Sequence, residues 1–523
     1  MIMNMSINTT SPNDVASPVR FHHVRSVATT SVPNVPIEAF RQSVIEQVQS
    51  GRQLLALFGT PAESGHVTLY ALTGDADSAT ISALATQVDN AYPALTPDCP
   101  QAHWFEREIA EQWGVVPTGH PWLKPIRFHH SYRPGHDAWG RDDSAPIAPA
   151  APEVAYPMYR IEGEEVHEVA VGPVHAGVIE PGHFRFQCHG ENVFNLEIAL
   201  GYQHRGIERS LVGGPSKRTL HVMEQVAGDT SVGHTTAYAQ ILESLTGVEA
   251  TPRAQAIRGI GLELERLANH TGDLGALAND VGFLPTASYC GRLRGDWLNA
   301  TALICGNRFG RGLVRPGGVA HDIEPERASS LIERIRATND DVTSATNLLW
   351  RSLSVESRFE DTGRVPLEVA NAFGLVGPAA RASGLDHDIR HDFPRGIYRF
   401  AFIPVSTAAS GDVRARATVR AMEVQRCAQF LLEQVGHLPR GPIMAPIGPL
   451  APGRLAVSLV EGWRGAIVHV AITDNEGRFA HYKIVDPSFR NWIGLSMALR
   501  DQPISDFPLC NKSFNLSYCG HDL

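Results

Sequence analysis

Three short runs gather residue types that move protons. Glu180, His183 and Arg185 fall within EPGHFR, His204, Arg205 and Glu208 within HRGIE, and Asp280 closes the pair Asn279-Asp280. A carboxylate in a partly dry pocket has a raised pKa and can relay protons. A glutamate in a surface turn beside Pro181-Gly182 is the plainer reading of the first run. His204 and Glu208 stand four residues apart and would share a helix face if a helix has begun. A structural ion-pair network accounts for them as well as catalysis does. Asp280 follows a helical stretch and reads equally as a proton-path group or a loop cap.

Signatures of self-contained catalysis are missing. The chain has no GxxxxGK[ST] loop, no GxGxxG after a strand, no GxSxG elbow and no HExxH. Its seven cysteines (Cys99, Cys188, Cys290, Cys305, Cys427, Cys510 and Cys519) are scattered and form no CxxC. That argues against a disulfide framework and makes the cytoplasm the default compartment. The His22-His23 and His129-His130 pairs lie in polar or Pro-containing stretches and read as surface or structural. Cys188 and His189 are adjacent, so on a strand they would point to opposite faces.

The elements that must position these residues fall into two units. Pro36–Pro125 reads as an α/β unit with a helix over Ile37–Val48, paired strands over Gln53–Phe58 and His66–Leu72, and helices over Ala79–Tyr92 and Trp104–Trp113. The Pro- and Ala-rich stretch Arg141–Pro157 has little to bury and marks a linker. The second unit opens with strands over Tyr159–Ile161, Glu165–Val171, His183–Gln187 and Asn192–Ile198. Helices follow over Leu220–Leu245, Thr251–Gly272, Ile323–Trp350 and Asp412–Val435. Thr251-Pro252 supplies an N-cap and a first-turn proline. Ala466–Val485 returns to strand alternation around an Asp-Asn-Glu-Gly turn.

The 523 residues are 43% hydrophobic and 19% charged, enough for a sizeable core and against wholesale disorder. A net charge of −10 without a strong basic run argues against nucleic acid or an anionic membrane surface as main partner. No apolar run approaches the roughly 18 residues of a spanning helix. Work at a membrane would therefore need another protein as anchor. The first twenty residues read as a flexible tail without a secretory pattern.

A more specific combination lies in the second unit. VGPVHAGVIEPGHFRF (Val171–Phe186) is followed by GYQHRGIERS, IRGIGLELERLANHTGDLG (Ile257–Gly275), RASGLDHDIR (Arg381–Arg390), GDV, EGWRG (Glu461–Gly465) and DPSF (Asp486–Phe489). In this order they resemble the large subunit of energy-converting (group 4) NiFe hydrogenases, formate hydrogenlyase included. They also resemble the homologous quinone-site subunit of complex I, the respiratory NADH-quinone oxidoreductase. WFEREIAEQWGVVPTGHP (Trp104–Pro121) resembles the small peripheral-arm subunit of complex I. The resemblance implies an α+β fold. A flexible tail over 1–30 precedes an α/β domain over 31–140 that is similar to the small peripheral-arm protein. A linker over 141–157 then leads to a mainly helical hydrogenase large-subunit-like domain over 158–523, with β-strands at both ends.

The hydrogenases hold nickel and iron with two CxxC pairs, because thiolates are soft, strongly donating ligands. The stretch matching the first pair is EQVAGDTSVGH (Glu224–His234), with Ala227 and Thr230 at the ligand positions. The second match puts Ser517 and Gly520 there, with Cys519 between. The resemblance thus implies a relative that has lost its metal ligands, and His234 as a residue that lines the cavity or packs in the core. Complex I also lacks these cysteines, and its corresponding cavity takes a quinone headgroup fed by a 4Fe-4S cluster in a neighbouring small subunit. Its first loop histidine aligns with His175 and a motif aspartate with Asp280. Its headgroup tyrosine falls on Gly228 and its cluster-side arginine on Gln225. Its second loop histidine has no counterpart, because Gly177–Pro181 follows the hydrogenase loop.

The expectation is an oxidoreductase subunit that binds no metal itself. It would dock a small 4Fe-4S protein like the cluster-bearing one of complex I and serve a quinone-like or other acceptor. It would sit on the inner side of the membrane through anchor and antiporter-like subunits. A formate dehydrogenase is a further possible partner. The alternatives are a working hydrogenase with aberrant ligands and a redox-inert scaffold.

Overall fold

Strand alternation and short turns build the N-terminal sheet. Thr80–Val88 pairs with Val67–Asp75, which pairs with Gln53–Pro61, all antiparallel. Phe40, Val44 and Ile45 of the Ile37–Gln49 helix are buried against this sheet. This is a computed structural model, and it describes residues 17–62, 65–142, 158–175 and 179–523.

Ala79–Tyr92 is not a helix. Thr80–Val88 is an inner strand held on both edges, by Val67–Asp75 and by Val19–Phe21. A strand buried on both faces, as this one is, carries no clear period that separates helix from strand. Nor do residues 17–30 form a tail. Val19–Phe21 closes the N-terminal sheet, and Val27–Ala28 pairs with Arg454 and Leu455 of the large domain. Residues 1–16, and 143–157 of the expected linker, lie outside the described residues.

The His103–Trp113 helix is buried along its whole length, charged residues included. It lies between the N-terminal sheet and the large domain, so its carboxylates need internal partners. Glu106 accepts Leu95 N and Thr96 N at 2.8 and 2.9 Å, and Glu111 accepts Arg127 N and Phe128 N, each at 2.8 Å. Across the seam, Phe105 packs on Phe489 with ring centroids 5.1 Å apart.

The large domain has two four-stranded sheets. One joins Val166–Val171, His183–His189, Asn192–Ala199 and Gln502–Pro503; the other joins Phe479–Val485, Gly465–Thr473, Arg454–Gly462 and Val27–Ala28. Tyr159–Ile161 is not a strand. Side chains satisfy its backbone instead: Tyr159 N donates to Glu197 at 2.7 Å and Ile161 N to Gln187 at 3.0 Å.

The central helix is Pro252–Asp280, capped by Thr251 Oγ1 and packed against Leu284–Cys305 and Val413–Gly436. The expected Leu220–Leu245 helix is broken into Thr219–Met223 and Ser231–Thr246. The break is stabilised where the Glu265 carboxyl group accepts Val232 N and Gly233 N, at 2.7 and 3.2 Å. No helix among the described residues is long and apolar enough to cross a membrane.

The core of this domain is charged. Glu423 accepts from Arg381 at 2.6 Å and His270 at 2.8 Å, with Arg266 at 3.4 Å. Arg381 also reaches Glu461 at 2.8 Å, and Glu263 holds Arg266 and Arg390, each at 3.0 Å. Buried charges persist only when paired and hydrogen-bonded. This lattice ties the central helix to the Val413–Gly436 helix, the Arg381–Arg390 segment and the Arg454–Gly462 strand.

Candidate functional site

Besides the His183–His189 strand and the turn at Arg464, four segments of the large domain converge on a cavity of about 670 Å³. They are the loop before His183, the 227–230 turn, the C-terminal end of the central helix and the 504–518 segment. Its acidic lining is Glu180, Asp229 and Asp280; its basic lining is Arg464 and Lys512. Phe184, Phe186, Phe507 and Tyr518 supply aromatic walls, and His175 completes the rim, its Nε2 3.0 Å from Gly182 O. Residues 176–178, within the loop expected to follow the hydrogenase pattern, lie outside the described residues.

The cavity thus brings together His175, Glu180 and Asp280, although Asp280 is remote from the other two in sequence. Glu180 accepts from Tyr518 N and Cys519 N at 3.4 and 3.3 Å. Asp280 is the last residue of its helix and sits at the rim. Partial desolvation by neighbouring protein lifts its carboxyl above the usual carboxylate value, against the opposing charge of Lys512. Burial, with the Glu180 charge, pushes the Cys519 thiol up to about 11, so it stays protonated at neutral pH.

His183 and Arg185 do not face this cavity. They alternate along the strand with Phe184 and Phe186, which do, so they point to the other side. There His183 Nδ1 lies 3.2 Å from Gly172 O, and Arg185 donates to Glu168 at 2.8 Å. Burial lowers the His183 pKa.

His204 and Glu208 belong to the seam between domains. The helix begins only at Ile207, so the two do not share a helix face. His204 Nδ1 donates to Asp522 O at 2.7 Å and its ring stacks on His129. Burial and the nearby charge of Arg127 push it down to about 4. Glu208 accepts from Lys483 Nζ at 2.9 Å and Ile484 N at 2.8 Å. Burial pushes its carboxyl up, but Lys483 and Arg127 outweigh that and hold it low.

Two arginines clamp the loops that carry the positions aligned with metal ligands in the resemblance. Arg205 donates to Gln225 O, Val226 O and Cys519 O at 2.7, 2.9 and 2.8 Å. Arg464 forks onto both Asp229 oxygens at 2.6 and 2.8 Å and reaches Asn515 O at 2.5 Å. The donor set there does not fit a NiFe centre. Ala227 and Gly520 offer no donor atom. Thr230 Oγ1 bonds Asp229 at 3.3 Å, and Ser517 Oγ accepts Gly520 N at 2.9 Å. A β-carbon at Gly520 would stand 2.7–2.9 Å from the Asp486 carboxylate, closer than atoms pack, so a cysteine there would require Asp486 to shift.

Behind this point runs a fully buried chain. Asp486 Oδ2 lies 3.0 Å from His234 Nε2, His234 Nδ1 3.0 Å from His469 Nε2, and His469 Nδ1 2.9 Å from Tyr482 Oη. The carboxylate accepts, which sets one direction: Tyr482 donates to His469, His469 to His234, His234 to Asp486. Burial and then His234 push His469 far below the usual histidine value. For Asp486, burial acts upward, but the His234 bond and the Arg464 charge take the carboxyl lower.

Sequence reading missed Arg464, Asp229, Asp486, His469 and Glu265. Arg464 and Asp486 lie inside the recognised EGWRG and DPSF runs, a usable signal. His469 and Tyr482 meet only through strand register, Ala471 pairing with Tyr482. Glu265 is pushed up to about 8, mainly by burial and also by Asp229. Its folded pKa exceeds its unfolded one, so stability is full below about pH 4.5 and falls as pH rises towards 8. Glu265→Gln is expected to flatten this fall, which at its steepest approaches about 1.4 kcal/mol per pH unit. Thermal midpoints of both proteins between pH 5 and 8 check it; parallel curves would refute it.

Comparison with known proteins agrees with this architecture. Residues 280–452 match the family of the respiratory-chain NADH dehydrogenase 49 Kd subunit, and residues 47–142 that of the 30 Kd subunit. Formate hydrogenlyase subunit 5 of Escherichia coli (strain K12) is 29% identical over 90% of this chain and 84% of its own length. Hydrogenase-4 component G of the same organism is 28% identical over 84% of this chain and 77% of its own. A chain of the membrane-bound sulfane sulfur reductase, an archaeal respiratory membrane complex, shares the fold with a TM-score of 0.65 at 21% identity. That likeness covers 70% of this chain and 100% of the other. By these matches the chain is similar to the 49 Kd and 30 Kd subunits of respiratory-chain NADH dehydrogenase, the 30 Kd match lying on its N-terminal side, and to formate hydrogenlyase subunit 5 and hydrogenase-4 component G.

Proposed function

We propose that this chain is the acceptor-site subunit of a membrane-associated oxidoreductase complex of the complex I type. Electrons pass between a 4Fe-4S cluster in a small partner subunit and an acceptor in the 670 Å³ cavity. The acceptor is a quinone-like molecule, for which the aromatic walls and the mixed acid–base lining are suited. The chain holds no metal, since none of the four former ligand positions keeps a thiolate. It sits on the inner face of the membrane through anchor and antiporter-like partners, and ion movement is coupled to protonation in the cavity. Glu180 and Asp280 exchange the protons; a formate dehydrogenase is one possible source of the electrons.

The observation that carries this reading is the convergence of Glu180, Asp280 and Arg464 on one cavity beside the former metal loops. In the assembled complex, Glu180→Gln and Asp280→Asn should each slow acceptor reduction about tenfold or more, while the partner cluster still accepts electrons. Unchanged turnover in both variants, with assembly intact, would point to a redox-inert scaffold. One nickel per chain in active complex would point to a hydrogenase.

A further inference from the structure

Away from the redox cavity, the chain crosses between the two domains at His22–Ser26. Val19–Phe21 belongs to the N-terminal sheet and Val27–Ala28 to a sheet of the large domain, and between them Val24 N donates to Val457 O at 2.8 Å. This crossing, Ala79 and the Phe393–Arg399 segment enclose a pocket of about 260 Å³.

Every ionisable side chain lining the pocket is a base: His22, His23, Arg25, Arg395 and Arg399. Among the described residues, no ion pair engages Arg25 or Arg399, and the Arg399 guanidinium lies 5.7 Å over the Phe400 ring. Arg395 shares its charge with the exposed Glu249, 3.0 Å away. His23 is 94% buried, against the Phe393 ring, and neither ring nitrogen completes a hydrogen bond of ordinary geometry, the Phe393 backbone making only a weaker contact. Burial and the Arg395 charge push it down to about 3.

A buried imidazole with no more than a weak backbone contact to Phe393 is unfavourable, and beside it Arg25 and Arg399 have no carboxylate of their own among the described residues. A tetrahedral oxyanion answers the arginines, because its oxygens accept from several planar forks at once. The volume holds such a group and a short substituent, and it is too small for a nucleotide.

We propose that this pocket binds a phosphate-type oxyanion, as inorganic phosphate or a phosphomonoester, through Arg25, Arg395 and Arg399 with His23 at its floor. Bound there, the anion joins the N-terminal crossing to the Phe393–Arg399 segment and stabilises the seam between domains.

Thermal unfolding of the full chain tests this. Inorganic phosphate at 10 mM should raise the midpoint by about 2 °C or more over chloride of equal ionic strength. Arg25→Ala and Arg399→Ala, both at exposed positions, should each weaken phosphate affinity about tenfold. Arg336→Ala, on an exposed helix face elsewhere, should leave it unchanged. Should an alanine variant unfold in chloride, Arg25→Gln and Arg399→Gln with isothermal titration of phosphate replace it. Sedimentation with phosphatidylcholine vesicles containing phosphatidic acid separates the two sources: binding that depends on Arg25 and Arg399 identifies a lipid headgroup, and a response to free phosphate alone identifies a soluble one. No phosphate-specific shift, or an equal shift in the arginine variants, overturns the proposal.

Discussion

Glu423→Ala should destabilise the large domain by about 3–5 kcal/mol, the cost of leaving buried charges without their partner. Glu423 is 1% exposed and is the shared acceptor of Arg381, Arg266 and His270. Its loss leaves two guanidinium groups short of counter-charge where water cannot reach them. Against a total stability of about 5–15 kcal/mol, that is enough to remove much of the folded protein from the soluble fraction. Glu423→Gln keeps the shape and one acceptor, so it separates charge from packing and should cost less.

Acid should act in the same direction. Burial favours the protonated Glu423, but Arg381 and then the His270 bond hold its pKa well below the ordinary value. Its stabilisation is present above about pH 4.5 and is lost as pH falls through the lower folded value. Urea unfolding followed by tryptophan fluorescence measures both effects. The surface pair Arg292–Asp296 provides the scale, since Arg292→Ala should leave stability nearly unchanged. A Glu423→Ala midpoint no lower than that control would mean the lattice does not hold the domain.

This lattice also marks the limit of what the sequence tells. Glu263, Arg266 and His270 lie in the IRGIGLELERLANHTGDLG run, Arg381, Asp388 and Arg390 in RASGLDHDIR, and Glu461 in EGWRG. The runs carry the resemblance, yet these charged residues form the scaffold, whereas Arg464 of the same EGWRG run lines the cavity. Nothing local says so. Glu423 meets His270 across 153 residues and Arg266 meets Gly462 O across 196, so pairing is set by tertiary contact. Elements with strong local signals were legible: the Thr251 cap, the Ile37–Gln49 helix, the hairpin around Asp474–Gly477. Thr80–Val88 was not, because its apolar residues face protein on both sides. At the site, motif position located Glu180, His175 and Asp280, whereas side-chain direction separated His183 and Arg185 from them. That direction follows from strand register, which the run EPGHFR does not disclose.

Arg464→Ala should abolish turnover of the assembled complex, by about 100-fold or more, while leaving its subunits together. Arg464 is 6% exposed, and its guanidinium spans Asp229 on one loop and Asn515 O on the other. Removing it unpairs Asp229 in the cavity wall and frees the 515–520 segment from the 227–230 turn. The proposed acceptor geometry then keeps the Arg205 clamp but loses the fork that fixes Asp229 against Asn515. A loss of about 2.7 kcal/mol of positioning corresponds to that hundredfold. Arg464→Lys keeps the charge but not the planar fork, so it should recover little. Reoxidation of the reduced partner cluster, followed by its paramagnetic signal on addition of a quinone, reads the effect apart from assembly, which subunit stoichiometry reports. Reoxidation within threefold of wild type in an intact Arg464→Ala complex would mean that electrons leave by another route. The 670 Å³ cavity would then not be the acceptor site.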